Sequence, residues 1–192
     1  MNDLRLDGKS KVSGGTFEEV RINGISTIKD DLICERMNAD GICEFDGNVR
    51  VKGKADIDGV CKIYGDLDTE DLDLDGTLSI TGNATAENAR IKGFIEVSGT
   101  FNAGSLDLEF YGSPRVKEIV GGRIHILRGT KTRYLRAELI EGDDVCIERS
   151  KVKVVRGDAV VIGENCDVDR VEYRSELSIH PKAKVKEQVK LT

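Results

Sequence analysis

Residues 55–71 read ADIDGVCKIYGDLDTED, residues 72–88 read LDLDGTLSITGNATAEN and residues 89–105 read ARIKGFIEVSGTFNAGS. Set under one another, the three lines keep glycine and apolar residues in the same columns. Followed outward, Gly24, Gly41, Gly59, Gly76 and Gly93 recur at steps of 17, 18, 17 and 17. A second series, Gly47, Gly65, Gly82 and Gly99, recurs at 18, 17 and 17. Two glycine series in fixed phase from Met37 to Leu108 mark a repeat architecture.

The apolar residues say which repeat. They come as i, i+2 pairs: Ala55/Ile57, Cys61/Ile63 and Leu67/Thr69 in one line, then Leu72/Leu74, Leu78/Ile80 and Ala84/Ala86 in the next. Alternation of this kind is the strand period of two with one face buried. Three pairs per repeat predict an all-β fold, a three-sided parallel β-helix (solenoid) of about ten coils of 17–18 residues. Glycine belongs at its corners, where the chain turns sharply, often at positive φ. Leu6, Ile22, Ala39, Ile57, Leu74, Ile91 and Leu108 form one expected inner ladder. Val12, Ile28, Phe45, Ile63, Ile80 and Val97 form a second, and Leu32, Val49, Leu67, Ala84 and Phe101 a third.

The whole chain, 1–192, reads as one domain, with regular coils over about 5–108. Between about 109 and 136 the rhythm falters at Tyr111-Gly112-Ser113-Pro114 and at a basic loop, Arg128-Gly129-Thr130-Lys131-Thr132-Arg133, although Arg123–Leu127 still reads as a strand. Alternating pairs resume over about 137–190, from Val145/Ile147 to Ala183/Val185. There Val154 and Val171, Val160 and Leu177, and Cys166 and Ala183 each lie 17 apart.

Composition sets bounds. Hydrophobic content of 39%, with 21 Gly and 2 Pro, suits narrow coils with many corners better than one thick core. No apolar stretch approaches the roughly 20 residues that span a bilayer, and MNDLRLDGKS lacks the apolar region of a signal peptide. The 5 cysteines, an odd number, point to a reducing compartment, so the expected location is cytoplasmic. Residues 1–110 carry a charge balance of −10 and residues 111–192 one of +4, a dipolar rod if the coils stack in order.

Outward positions stack too. Asp56, Asp73, Arg90 and Asp107 share one column; Asp40, Asp58, Asp75, Lys92 and Glu109 share another. Opposite charges on neighbouring rungs are favourable and like charges repel. A bound cation would relieve Asp56–Asp73 and Asp58–Asp75, but a solvated acidic face is the preferred reading and no metal is expected.

The chemistry-bearing residues are few. Cys43 and Cys61 hold the same inward position on consecutive coils, and Cys34 and Cys166 are also inward; without C-x-x-C they read as core packing. His125 and His180 have no nucleophile beside them, and no phosphate-binding or nucleophile-elbow motif occurs. No catalytic residue, metal or cofactor is assigned. The enzymatic rival is the left-handed hexapeptide solenoid of acyltransferases or small-molecule binders, a trimer with an intersubunit cleft that would hold His125. Its strict six-residue step with one aliphatic residue per hexapeptide is not kept here.

The units Ile22-Asn23-Gly24, Ile57-Asp58-Gly59, Ile63-Tyr64-Gly65, Ile80-Thr81-Gly82, Ile91-Lys92-Gly93 and Val97-Ser98-Gly99 give the chain its resemblance to the bactofilins, polymer-forming cytoskeletal proteins of bacteria. The resemblance is best over about 5–108. It implies a right-handed β-helix that polymerises end to end without nucleotide, and scaffolding work at the cell envelope or in cell shape, motility or division. Its partners would be further copies, a second protein of the same fold, or cell-envelope or motility-apparatus proteins, at the inner face of the envelope and without membrane insertion. Bactofilin cores are shorter, about six coils with disordered Pro-rich tails, and many carry a membrane-targeting peptide that MNDLRLDGKS lacks. Their filaments are thought to be non-polar, whereas this charge asymmetry favours head-to-tail contact.

The expected self-assembly residues lie in the end coils: Leu4, Leu6 and Val12 at one end, and Leu177, Ile179, Val185 and Val189 at the other. Uncapped end coils expose backbone edges that invite pairing. Arg123, Arg128, Lys131, Arg133 and Arg136 form a candidate anion or partner patch, which a monomeric adaptor would use on an acidic partner. Only Tyr134 offers a ring there, so nucleic acid is not expected.

Overall fold

The computed structural model describes residues 2–128 and 133–192. Its strands are β1 (Leu4–Phe45), β2 (Val49–Ile63), β3 (Leu67–Ile80), β4 (Ala84–Phe110), β5 (Arg115–Arg128), β6 (Leu135–Ile147), β7 (Ser150–Ile162), β8 (Asp167–Ile179) and β9 (Lys184–Lys190). There is no helix among the described residues. All nine strands form one sheet in chain order, and every neighbouring pair is parallel. Sizeable contacts join only consecutive strands. This is a parallel β-solenoid.

The register confirms the expected ladders. Leu32, Val49, Leu67 and Ala84 stand in register. Phe101, one coil further within β4, continues through Ile119, Ile140, Val155 and Val171 to Gln188. Those ten rungs enclose nine turns. Residues 4–31 are wound ahead of them, with Leu6, Val20, Ile22 and Ile28 buried in the same core. In the coil from Ala55 the inward pairs are buried, giving three apolar faces. The one polar member, Thr69, is satisfied because its hydroxyl donates to the carbonyls of Gly53 (2.9 Å) and Asp71 (3.0 Å).

Two devices shape the corners of the regular coils. Gly59, Gly76 and Gly93 have φ of 131°, 149° and 148°. A Cβ at Gly76 would overlap the carbonyl oxygen of Gly59, so only glycine lets successive corners stack. At another corner, side chains form a staircase. Asp31 accepts from the backbone N–H of Asn48 (2.7 Å), Asn48 from Asp66 (2.9 Å), Asp66 from Asn83 (2.7 Å) and Asn83 from Thr100 (3.0 Å). Each coil thus satisfies the turn of the next.

The middle keeps the sheet unbroken while the coil length varies. Leu108, Ile126, Ile147, Ile162 and Ile179 share one column at steps of 18, 21, 15 and 17. The glycines also change column, since Gly121, Gly142 and Gly157 follow Ala103 rather than Gly93. That change is why the rhythm falters in sequence. One expected pairing is corrected: Val171 stands on buried Val155, while half-buried Val154 stands on Arg170. An irregularity between Gly157 and Ala159 interrupts the register of this pair of strands.

Cys43 and Cys61 are neighbouring rungs in the core, as expected. The Cys61 thiol is pushed up by its hydrogen bond with the free Cys43 thiol and by burial. Burial pushes Cys34 to about 12 and Cys166 to about 11, so these thiols stay protonated and unreactive. Among the described residues, no helix is long and apolar enough to cross a membrane.

Candidate assembly ends and charged rows

A solenoid covers the inner side chains of each coil with the next, so its last coils lack a cover. Leu6, under Ile22, is only 5% exposed, but Leu4, Val12 and Phe17 are half-buried against the core. At the other end Leu177, Ile179, Ala183 and Val185 are half-buried against it, and Val189 is half-buried in β9. Strand β9 pairs only with β8, which leaves its outer backbone edge without a strand among the described residues. Leu4, Val12, Leu177, Ile179 and Val185 are therefore partly uncovered inner side chains. Val189 is corrected, because it stands on Glu172 in an outward column while Gln188 takes the inner position under Val171.

The sheet separates the members of the expected basic patch. Arg123 stands in register with Ser105 and Asp144, and its guanidinium meets Asp107 at 2.6 Å. Arg136 belongs to another row, between Arg115 and Lys151. Arg133 is exposed just before β6. Lys131 lies outside the described residues, as does the side chain of Arg128. The basic cluster that the sheet does assemble is Arg115, Arg136 and Lys151, with Lys151 4.9 Å from the ring of Tyr134. It forms one wall of an axial groove of about 510 Å³. Val97, Val116, Ala137 and Val152 make the floor, and Lys117, Glu138 and Lys153 stand on the opposite wall. His125 lies on an open sheet face with Nδ1 3.5 Å from Asp107.

The acidic columns fall where expected, with Asp56 below Asp73 and Asp40, Asp58 and Asp75 in succession. The chain relieves the first repulsion itself. Lys54 Nζ lies 2.9 Å from Asp56 and 3.2 Å from Asp73, and the two carboxylates hold its ammonium above the usual range. Among the described residues no cationic side chain does this for Asp58, whose carboxyl is pushed up by burial and then by Asp56, Asp40 and Asp75. Across the glycine corner from this column runs an outward apolar stripe that the sequence reading missed. Ile42, Val60, Thr77 and Phe94 stand in register, with Ile25 and Ile42 about half exposed at 51% and 49%.

Two Bacillus subtilis proteins share part of this pattern. The uncharacterized protein YhbE of strain 168 is 40% identical over 70 residues, which is 36% of this chain and 30% of YhbE. The uncharacterized protein YhbF of the same strain is 34% identical over 96 residues, 47% of this chain and 41% of YhbF. The chain thus matches less than half the length of these relatives. No family model matches it, and no solved structure does.

Proposed function

We propose that this chain is a non-enzymatic, nucleotide-independent scaffold that assembles with copies of itself through the two open ends of its solenoid. The observation that carries this reading is the row of half-buried inner side chains at each end: Leu4 and Val12 at one, Leu177, Ile179 and Val185 at the other. Stacking one end on another would continue both the inner ladders and the parallel sheet. The resemblance to bactofilins supports the same assignment, with work at the inner face of a bacterial cell envelope or in cell shape or motility.

Negative-stain microscopy of the purified protein without nucleotide tests it. Filaments whose subunit repeat matches the solenoid length are expected. Ile179→Asp is expected to stop elongation while leaving the circular dichroism spectrum of a folded β-protein, because Ile179 sits at the end rather than in the middle of its column. Filaments of undiminished length from Ile179→Asp and from Leu4→Asp would sink the end-contact assignment. A uniform compact trimer would favour the hexapeptide-type transferase instead.

A further inference from the structure

Many outward charges of this solenoid find a partner within the chain, often one rung away. Lys52 meets Glu35 at 2.6 Å, Lys153 meets Glu138 at 2.8 Å, and Lys186 meets Asp169 at 2.6 Å. Arg156 and Arg170 both bind Glu172. Two rows do otherwise. The first is Asp40, Asp58, Asp75 and Lys92, with Glu109 one coil further in β4. The second is Arg115, Arg136, Lys151, Asp167 and Lys184. Among the described residues, none of these ten side chains joins an ion pair within the chain. Each row stacks three like charges at the sheet spacing of about 4.8 Å. Opposite charges flank the triplets at Lys92 in the first row and at Glu96 and Asp167 in the second, but the middle charges, Asp58 and Arg136, have like charges on both sides.

The two rows complement one another rung for rung. Read in the same direction, Asp40 matches Arg115, Asp58 matches Arg136, Asp75 matches Lys151, Lys92 matches Asp167 and Glu109 matches Lys184. All five are opposite in sign, and both rows carry the same spacing because both are set by one sheet. Reversing these five rungs would set Asp58 against Asp167 and Lys92 against Arg136, like against like. Ile42 and Val60, 49% and 36% exposed, add apolar surface beside the acidic row across the glycine corner, and the groove beside the basic row gives that surface room.

We propose that a second copy of this chain docks alongside the first, its Asp40–Glu109 row lying on the Arg115–Lys184 row in parallel, five-rung register. Glu109 and Arg115 belong to one coil, so the copies are offset by the four rungs from Asp40 to Glu109. The patch used on one copy differs from that used on the other, so the contact is heterologous and can repeat. It is a lateral contact and does not depend on the ends.

Charge exchange tests it on the full chain, by sedimentation velocity and by particle width in electron microscopy at low and high salt. Wild-type protein is expected to associate side by side at low salt and to separate at high salt. Arg136→Glu and Asp58→Arg, each alone, are expected to weaken that association at least about tenfold, and an equimolar mixture of the two to restore it. Circular dichroism checks that both variants fold. The proposal is overturned if wild-type protein shows no lateral association or if neither variant changes it. It is equally overturned if the mixture fails to recover, which would assign the groove to a different anionic partner. Ile179→Asp alters particle length and not width, so failure of the lateral contact and failure of the end contact are read separately.

Discussion

The coils up to about residue 110 and those after it are two solutions to the same problem. Both must stack a parallel strand on the one before and turn the chain three times per coil. The earlier coils do this with backbone and short side chains: left-handed glycines at 41, 59, 76 and 93, and the staircase Asp31, Asn48, Asp66, Asn83. The later coils have φ-positive Arg149 (43°) and Asn165 (57°) at turns and lace their surface with long side chains. There Arg156 joins Glu141 and Glu172, and Arg170 joins Glu172 and Glu187. Short-range corner devices force a constant period. Long flexible side chains tolerate an enlarged coil, from Ile126 to Ile147, followed at once by a contracted one, from Ile147 to Ile162.

The strongest way to break this comparison is to substitute the glycines. Gly76→Ala is expected to cost about 3 kcal/mol or more, from a left-handed backbone plus overlap with the Gly59 carbonyl. Gly157→Ala has no left-handed requirement, and its new Cβ would meet Val160 Cγ2 at 2.8 Å and the Gly142 carbonyl oxygen at 3.0 Å, looser than the approach to the Gly59 oxygen at position 76. A smaller loss of about 1–2 kcal/mol is expected there, of the order of local overpacking. Thermal melts of the two variants decide the matter, and equal losses would erase the distinction between the halves.

A middle-sized effect is expected at Glu172, which is buried between two arginines. Arg156 foremost, then Arg170, holds its carboxyl below the usual range. A depressed folded value means that its contribution is complete above the unfolded pKa and is lost as pH falls through the folded one. Glu172→Gln should therefore cost about 1 kcal/mol at neutral pH and show a shallower acid-side decline than wild type. A parallel decline in both proteins would show that this cluster does not govern acid stability.

The smallest change sharpens the picture of the staircase. Asp66→Ala removes one acceptor from an exposed corner where water can substitute, so a loss of about 0.5–1 kcal/mol is expected, with faster amide exchange at Asn83. Asp66→Asn should be near neutral, because Asn already fills the equivalent step at 48 and 83. If Asp66→Ala leaves Asn83 exchange unchanged, the staircase is decoration rather than structure.

The inner ladders were legible because two periodicities, two and about seventeen, agree over six coils. The staircase was legible in principle, since its Asp and Asn residues adjoin the second glycine series. The basic row was not. The steps from Arg115 to Arg136 and from Arg136 to Lys151 are unequal, and neither matches the period read from the earlier coils. Nearness in sequence instead grouped Arg136 with Arg123, which the sheet sets on another row facing Asp107. The relief of Asp56 and Asp73 by Lys54 needed both i+2 and cross-rung neighbours at once, which one-dimensional spacing does not display.

Because sizeable contacts run only between consecutive strands, the molecule behaves like a stack of plates rather than a ball. Removing or duplicating one whole regular coil would alter its length by a single sheet spacing and leave both faces of the stack as they were. Such a body can serve as a length gauge whose measure changes in whole steps while its couplings stay the same.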